Sequence, residues 1–309
     1  MNSKWKSFFA LHSWRHSVTV KAFFGYWLAV FSVIWTFTDF IGYFFTIGDK
    51  PVKPNVWLVF SLGIIIAVWM SRPRLTRTVC LPDKDMLLQV AVDDMFRFKD
   101  RSLVIPSNNC FMHDHMDEDA ILVQFRNRFF SSPAQFDQAL ADALRHETAE
   151  CAVINGKQVN KYPIGTVAQL AMPGSGGQFA YILASAELNE HGRGMAQIND
   201  LKAALSALWN HIGERGNTRP LIIPVLGSGR QRLAHNRLEL IALIVQSFLR
   251  SNQHRKLTSH LTIVIHPKAY LNNKYNLNDI EAYLSCAGRF NFCQGDGYAG
   301  ENDSGASRG

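Results

Sequence analysis

Ile222-Ile223-Pro224-Val225-Leu226-Gly227-Ser228-Gly229-Arg230 runs from an unbroken apolar segment straight into a glycine-rich turn. Residues 221–225 read as a strand buried on both faces, because they lack the polar alternation of a half-exposed one. The glycines beyond let the backbone take positive φ and let a ligand come close. Successive backbone N–H groups in such a turn, at the start of the next helix, form an anion site. Arg230 adds a positive charge. The segment contains neither GxxxxGK[ST] nor GxGxxG, so it is not a Walker loop or a dinucleotide fingerprint. Taken alone it also fits an ordinary tight strand–helix turn.

Working outward, strands and helices alternate. Met86–Val92 is strand-like, and residues 103–106 form a short buried strand ending at Asn108-Asn109. Residues 132–145 read as a helix, with Ser132 as cap before Pro133. Residues 165–172 and 179–183 read as a strand pair about the turn Pro173-Gly174-Ser175-Gly176-Gly177. Residues 197–212 form a helix with Ile198, Leu201, Leu205, Leu208 and Ile212 on one face. Residues 238–249 form another helix and 261–265 another apolar strand. The pattern predicts a three-layer α/β/α domain with a mixed sheet over residues 80–286. Residues 287–309, rich in Gly, Ser, Asp and Asn, read as a disordered tail.

The N-terminal part differs. From Ala22 to Gly48 the only charge is Asp39, a run long enough for a spanning helix. Residues 54–71 are uncharged and centred on Leu62-Gly63-Ile64-Ile65-Ile66-Ala67. Residues 21–72 therefore predict a transmembrane hairpin, with helices over about 22–47 and 54–71. Lys and Arg flank the pair, with only Lys50 and Lys53 between, so both ends are expected in the cytoplasm. A cleaved signal peptide is not indicated, because no small-residue cleavage site follows the first run. Asp39 fits either the interface or a pore lining. Residues 1–20 form a basic stretch in which 4–19 mix Lys and Arg with aromatics, as an interfacial helix would.

Charge supports this division. Of 32 Lys and Arg and 25 Asp and Glu, nine bases and two acids precede residue 80, leaving 23 of each in the rest. The folded domain is thus neutral, which argues against a nucleic-acid interface. The five cysteines are widely spaced without CxxC, and read as reduced thiols of a cytosolic domain. His113, Asp114 and His115 lie together, but no ligand set converges on them, and no metal is expected.

Three segments together resemble a macrodomain, the fold that binds ADP-ribose and related nucleotides. Asp93-Asp94-Met95-Phe96 is similar to the family's Gly-Asp-Ile-Thr segment, which puts Asp94 on the acid that holds the adenine amine. Ile105-Pro106-Ser107-Asn108-Asn109 resembles Val-Asn-Ala-Ala-Asn, which puts Asn109 near the distal ribose. Pro224-Val225-Leu226-Gly227-Ser228-Gly229 resembles the phosphate loop, so Leu226, Gly227, Ser228, Gly229 and Arg230 are expected around the diphosphate. Residue chemistry agrees: Asp94 can accept from an exocyclic amine, and Asn109 offers a donor and an acceptor. Asp94 equally suits a helix cap, and Asn109 a turn. Phe111 fits a ligand-stacking ring or the core. Where catalytic members carry a triple-glycine loop, this chain has Cys110-Phe111-Met112-His113-Asp114-His115, so no catalytic residue is assigned.

Two N-terminal spans, Asn-x-x-Phe, Tyr162-Pro163-x-Gly165-Thr166-Val167 and Pro224-x-Leu226-Gly227-Ser228-Gly229 resemble the transmembrane–macro effectors of bacterial Thoeris anti-phage systems, over about residues 20–285. The resemblance implies a multi-pass protein of the bacterial inner membrane with its macrodomain in the cytoplasm. It implies a ligand derived from ADP-ribose, such as histidine-conjugated ADP-ribose, made by a partner TIR-domain enzyme. It further implies homo-oligomers and disruption of the lipid bilayer, ending in abortive infection. It implies no resident cofactor, and the charge balance gives no nucleic-acid partner. The alternatives are a membrane-tethered hydrolase of ADP-ribose derivatives and a membrane scaffold whose macro fold binds nothing.

Overall fold

The computed structural model describes residues 3–10, 12–14, 20–44, 46–47, 50–51, 55–81, 85–114, 116–172, 176–215, 218–227, 236–273 and 275–290. The chain divides into two units, Met1–Leu75 with Pro267–Asn276, and Thr76–His266 with Leu277–Gly309.

The larger unit is built on an eight-stranded mixed sheet. Its strands are β3 (Thr76–Leu81), β4 (Met86–Val92), β5 (Ser102–Asn108), β8 (Val167–Ala171), β9 (Phe179–Leu188), β10 (Gly194–Met195), β11 (Leu221–Pro224) and β12 (His260–Ile265). The order is β10-β9-β5-β11-β12-β4-β3, with β8 also paired to β9. The run from β9 to β4 is parallel, and β3, β8 and β10 are antiparallel edges. The central strand β11 is buried at all four positions, as its unbroken apolar sequence requires.

Alternation along the strands divides the core between two helical layers. Leu103, Ile105, Ala180, Ile182 and Ile222 face one core with Phe125 of α4 (Ile121–Phe129) and Phe136 and Leu140 of α5 (Pro133–Ala143). On the other face lie α6 (Ile198–Arg215), α7 (Arg237–His254) and α9 (Leu277–Phe290), where Trp209 packs edge-on against Phe248 and donates to Ser247 Oγ at 3.0 Å. Ser132 caps α5 as expected, accepting from the Gln135 N–H, with Pro133 in the first turn. Asn236 and Glu239 form a reciprocal capping box at the start of α7.

Some elements differ from the sequence expectation. β6 (Glu150–Ile154) and β7 (Lys157–Lys161) form a separate hairpin. Its turn is Asn155-Gly156, both at positive φ, which is the strongest short hairpin signal and was legible in the sequence. β3 begins at Thr76, ahead of the expected boundary at residue 80. Helix α9 continues through Ala287 to Phe290, because its apolar face packs on the β3–β4 edge; Gly288 lies against the Leu81 side chain. Residues 291–309 lie outside the described residues, as does the expected turn at 173–175.

In the smaller unit, α2 (Val20–Phe44) and α3 (Val56–Met70) pack together as a helical hairpin. They are joined through the antiparallel pair β1 (Thr46–Ile47) and β2 (Lys50–Pro51). Gly63 of α3 lies against the Trp27 ring, which meets Phe60 at 5.1 Å. Phe23–Phe44 is long and apolar enough to cross a membrane, with mean hydropathy 1.4 and none of it buried. The second helix is shorter than the expected 54–71: at 15 residues it spans about 22 Å, less than the hydrocarbon core of about 30 Å. The unit also holds α1 (Ser3–Phe9) and α8 (Pro267–Asn273).

Candidate functional site

Parallel strands deliver the candidate residues to one edge of the sheet. Asp94 follows β4, Asn109 follows β5, and Leu226 and Gly227 follow β11. From β5 the chain crosses to β9 on one side, and from β11 it crosses to β12 on the other. Two adjacent strands whose connections diverge leave a crevice at their carboxyl ends, which is where ligands bind in open α/β sheets. Asn109 and Gly227 flank that switch point, while Asp94 lies beyond β12. Gly227 has φ +71, a conformation that favours glycine, and Leu226 beside it is buried. Ser228, Gly229 and Arg230 lie outside the described residues.

Asp94 caps the short 3₁₀ turn Met95–Arg97, its Oδ1 accepting from the Phe96 N–H at 3.1 Å. Its Oδ2 accepts from Arg128 of α4 at 2.8 Å, and the guanidinium lies 4.8 Å from the Phe96 ring centroid. Arg128 was not singled out in the sequence, where nothing relates it to a residue 34 positions earlier.

Asn109 is buried. Its N–H donates to the Ala186 carbonyl at 2.8 Å, its carbonyl accepts from the Tyr162 N–H at 2.8 Å, and its Oδ1 accepts from the Leu188 N–H at 3.0 Å. Among the described residues Nδ2 has no such partner. Asn108 folds the following loop on itself: its Oδ1 accepts from the N–H groups of Cys110 and Met112, and its Nδ2 donates to the Met112 carbonyl. The tightness of that turn puts Phe111 at φ +53 and drives its ring into the core, edge-on to Tyr162 at 5.5 Å. Phe111 is thus a supporting residue of the loop in this structure. The Tyr162-Pro163-x-Gly165-Thr166 segment braces it, with Gly165 at φ +95 packed against α6.

His113 is buried against Phe136. Arg126 reaches its Nδ1 at 2.8 Å, and Asp137 Oδ1 lies 2.6 Å from its Nε2. An arginine N–H only donates, so Nδ1 accepts and Nε2 carries the proton given to Asp137. Both ring nitrogens are engaged within the fold. Among the described residues no group of three His, Cys, Asp or Glu is arranged to hold a metal ion; His115 lies outside them.

A cavity of about 510 Å³ opens at the carboxyl end of β9, next to Leu188, whose N–H is held by Asn109. Lys161, Glu187, Glu190, His191, Met195 and Asp200 are in its lining. Lys161 Nζ donates to Glu187 Oε1 at 2.6 Å, and that bond holds the lysine above its ordinary pKa. Burial pushes the nearby Cys110 thiol up, with Lys161 acting against it and Glu187 adding to it. Three carboxylates against one lysine leave the cavity acidic. Sequence reasoning did not find these residues, because they come together only where the β6–β7 hairpin, the end of β9 and the start of α6 meet.

Sheet order, layering and a glycine loop at the switch point define a macrodomain, a fold shared by hydrolases and binding modules. Residues 88–266 match the family described as the macro domain of the Thoeris protein ThsA, over more than half of the chain, and the protein belongs to that family. No curated protein matches it. Solved structures with a similar fold include the Oceanobacillus iheyensis macrodomain with ADP, at 14% identity and TM-score 0.46, covering 66% of this chain and 96% of that one. The same macrodomain with MES bound is 12% identical, with TM-score 0.45, covering 71% and 98%. A mutant of it with ADPR is 11% identical, with TM-score 0.46, covering 66% and 98%.

Proposed function

We propose that this protein is a membrane-anchored sensor whose macrodomain binds an ADP-ribose derivative carrying an added group on its distal ribose, with histidine-conjugated ADP-ribose as the expected ligand. The observation that carries this reading is the acidic cavity beside Asn109, at the same sheet edge as the Gly227 turn and Asp94. In this reading Asp94 accepts from the adenine amine, and the loop from Leu226 through Ser228, Gly229 and Arg230 receives the diphosphate. Asn109 meets the distal ribose, and the cavity lined by Glu187, Glu190 and Asp200 receives the amine or imidazole of the added group. Phe111 supports the loop from below. The family supports a signal made by a TIR-domain partner.

Binding without turnover is favoured by the state of His113. A general base needs a free lone pair within reach of water, and both its ring nitrogens are committed to Arg126 and Asp137. The apolar α2–α3 hairpin supports anchoring in a bilayer, and ligand binding acts on it by favouring one assembly over another.

Calorimetry on the full-length protein in nanodiscs tests this, titrated with ADP-ribose and with histidine-conjugated ADP-ribose. Tighter binding of the conjugate, with both ligands recovered intact, is expected. Failure of both to bind, or consumption of either, overturns it. Ligand-dependent leakage from liposomes is the separate test of the membrane step.

A further inference from the structure

Helix α1 has two unlike faces. One is docked inside the smaller unit: Ser7 is fully buried and its Oγ lies 3.4 Å from the Pro267 carbonyl at the start of α8. Ser13, also buried, donates to the Ser7 carbonyl at 2.6 Å and lies 3.1 Å from the Tyr270 hydroxyl, while His12 reaches the Tyr275 carbonyl at 3.0 Å. The other face carries Trp5 and Phe9, 56% and 64% exposed, with rings stacked at 6.0 Å. Lys6 is exposed beside them. In water, two large stacked aromatics on a seven-residue helix gain nothing from exposure, and a helix this short is not stable by itself. Lys4, Lys6, Arg15 and Lys21 accompany them, with no acid before Asp39. The chain then enters α2 at Val20.

We infer that α1 is a membrane-surface helix, with Trp5 and Phe9 seated among the headgroups of anionic lipids while its Ser7 face grips α8. Aromatic rings at the headgroup level and basic side chains toward anionic lipid are the features of an interfacial helix. Residues 267–275 are then held at the bilayer through Ser7, Ser13 and His12. This inference rests on α2 crossing the membrane.

The test uses full-length protein in nanodiscs of phosphatidylglycerol and phosphatidylcholine, with the native cysteines replaced by serine. A nitroxide label is placed at Phe9→Cys or, as a reference within the span, at Phe24→Cys. Depth is read from collision with oxygen and with a water-soluble nickel chelate. At position 9 the expected depth is about 5–10 Å. Chelate collisions should fall well below those of free label in buffer, and should rise again when Trp5→Ser is added. If position 9 reads as aqueous while position 24 reads as buried, the inference is overturned and the span stands. If both read as aqueous, the membrane reading fails and the inference falls with it.

Discussion

Arg128 on α4 donates to Asp94 Oδ2 at 2.8 Å while the Phe96 N–H holds Oδ1 at 3.1 Å, so the candidate adenine acceptor is fixed in place from two sides. A carboxylate has about four lone-pair sites, and with two of them taken each oxygen keeps one for a further donor. Its orientation depends on a helix far along the chain, and that makes the pair testable by two substitutions with different outcomes.

Asp94→Ala removes both the acceptor and the cap. Hydrogen bonds to charged groups contribute about 1.5–3 kcal/mol, so affinity for ADP-ribose should fall roughly ten- to a hundred-fold. Arg128→Ala leaves the Phe96 contact and should weaken binding less. Calorimetry on both variants checks the order; equal losses would place the binding role on Arg128.

Asn109 holds the Leu188 N–H across 79 residues. Asn109→Ala leaves that buried N–H without its acceptor, at a cost of about 1–3 kcal/mol in unfolding free energy. Asn109→Asp keeps an acceptor oxygen and should cost less. Urea unfolding of the two variants measures the difference. An alanine variant as stable as the parent would show that water replaces the bond.

Gly165 and Gly156 separate backbone strain from crowding. Both have positive φ, +95 and +74. A Cβ at Gly156 meets open space, whereas at Gly165 it lies 2.8 Å from the Ala207 Cβ. Gly156→Ala should cost about 1–2 kcal/mol from the left-handed conformation alone. Gly165→Ala should cost more, and should also disturb the Asn109 loop through Tyr162. Thermal unfolding of each variant gives the comparison.

His211 and His260 confer a pH dependence. Burial lowers both, aided by Arg215 for His211 and by Arg101 for His260; Glu147 and Glu214 partly oppose the shift at His211. Both are therefore harder to protonate folded than unfolded. The stability they contribute is complete above the unfolded value of about 6.5, and is lost as pH falls from there through the lowered folded values. The melting temperature should drop between neutral and mildly acidic pH, and a His211→Gln, His260→Gln variant should drop less. An unchanged slope would assign the effect to carboxylates instead.

Much of this protein was legible without coordinates. Residues 221–225, apolar throughout, read as a strand covered on both faces, and the first four of them are the buried β11. Ser132-Pro133 announced the start of α5, and the apolar run after Ala22, with Asp39 as its one charge, announced α2. These are local signals, carried by residue size, polarity and periodicity within a few turns. The hairpin at Asn155-Gly156 carried the same kind of signal.

Tertiary structure alone decided what stands beside what. Asp94 meets Arg128, and Asn109 meets Leu188, because sheet order sets elements far apart in sequence next to one another. The turn made by Asn108 decided that Phe111 enters the core, since a ring's direction follows from backbone dihedrals that its identity does not specify. The acidic cavity likewise draws Lys161, Glu187 and Asp200 from three separate elements. Residue types and periods determine the elements; long-range strand pairing and packing determine the site, because each contact there joins groups that no local pattern relates.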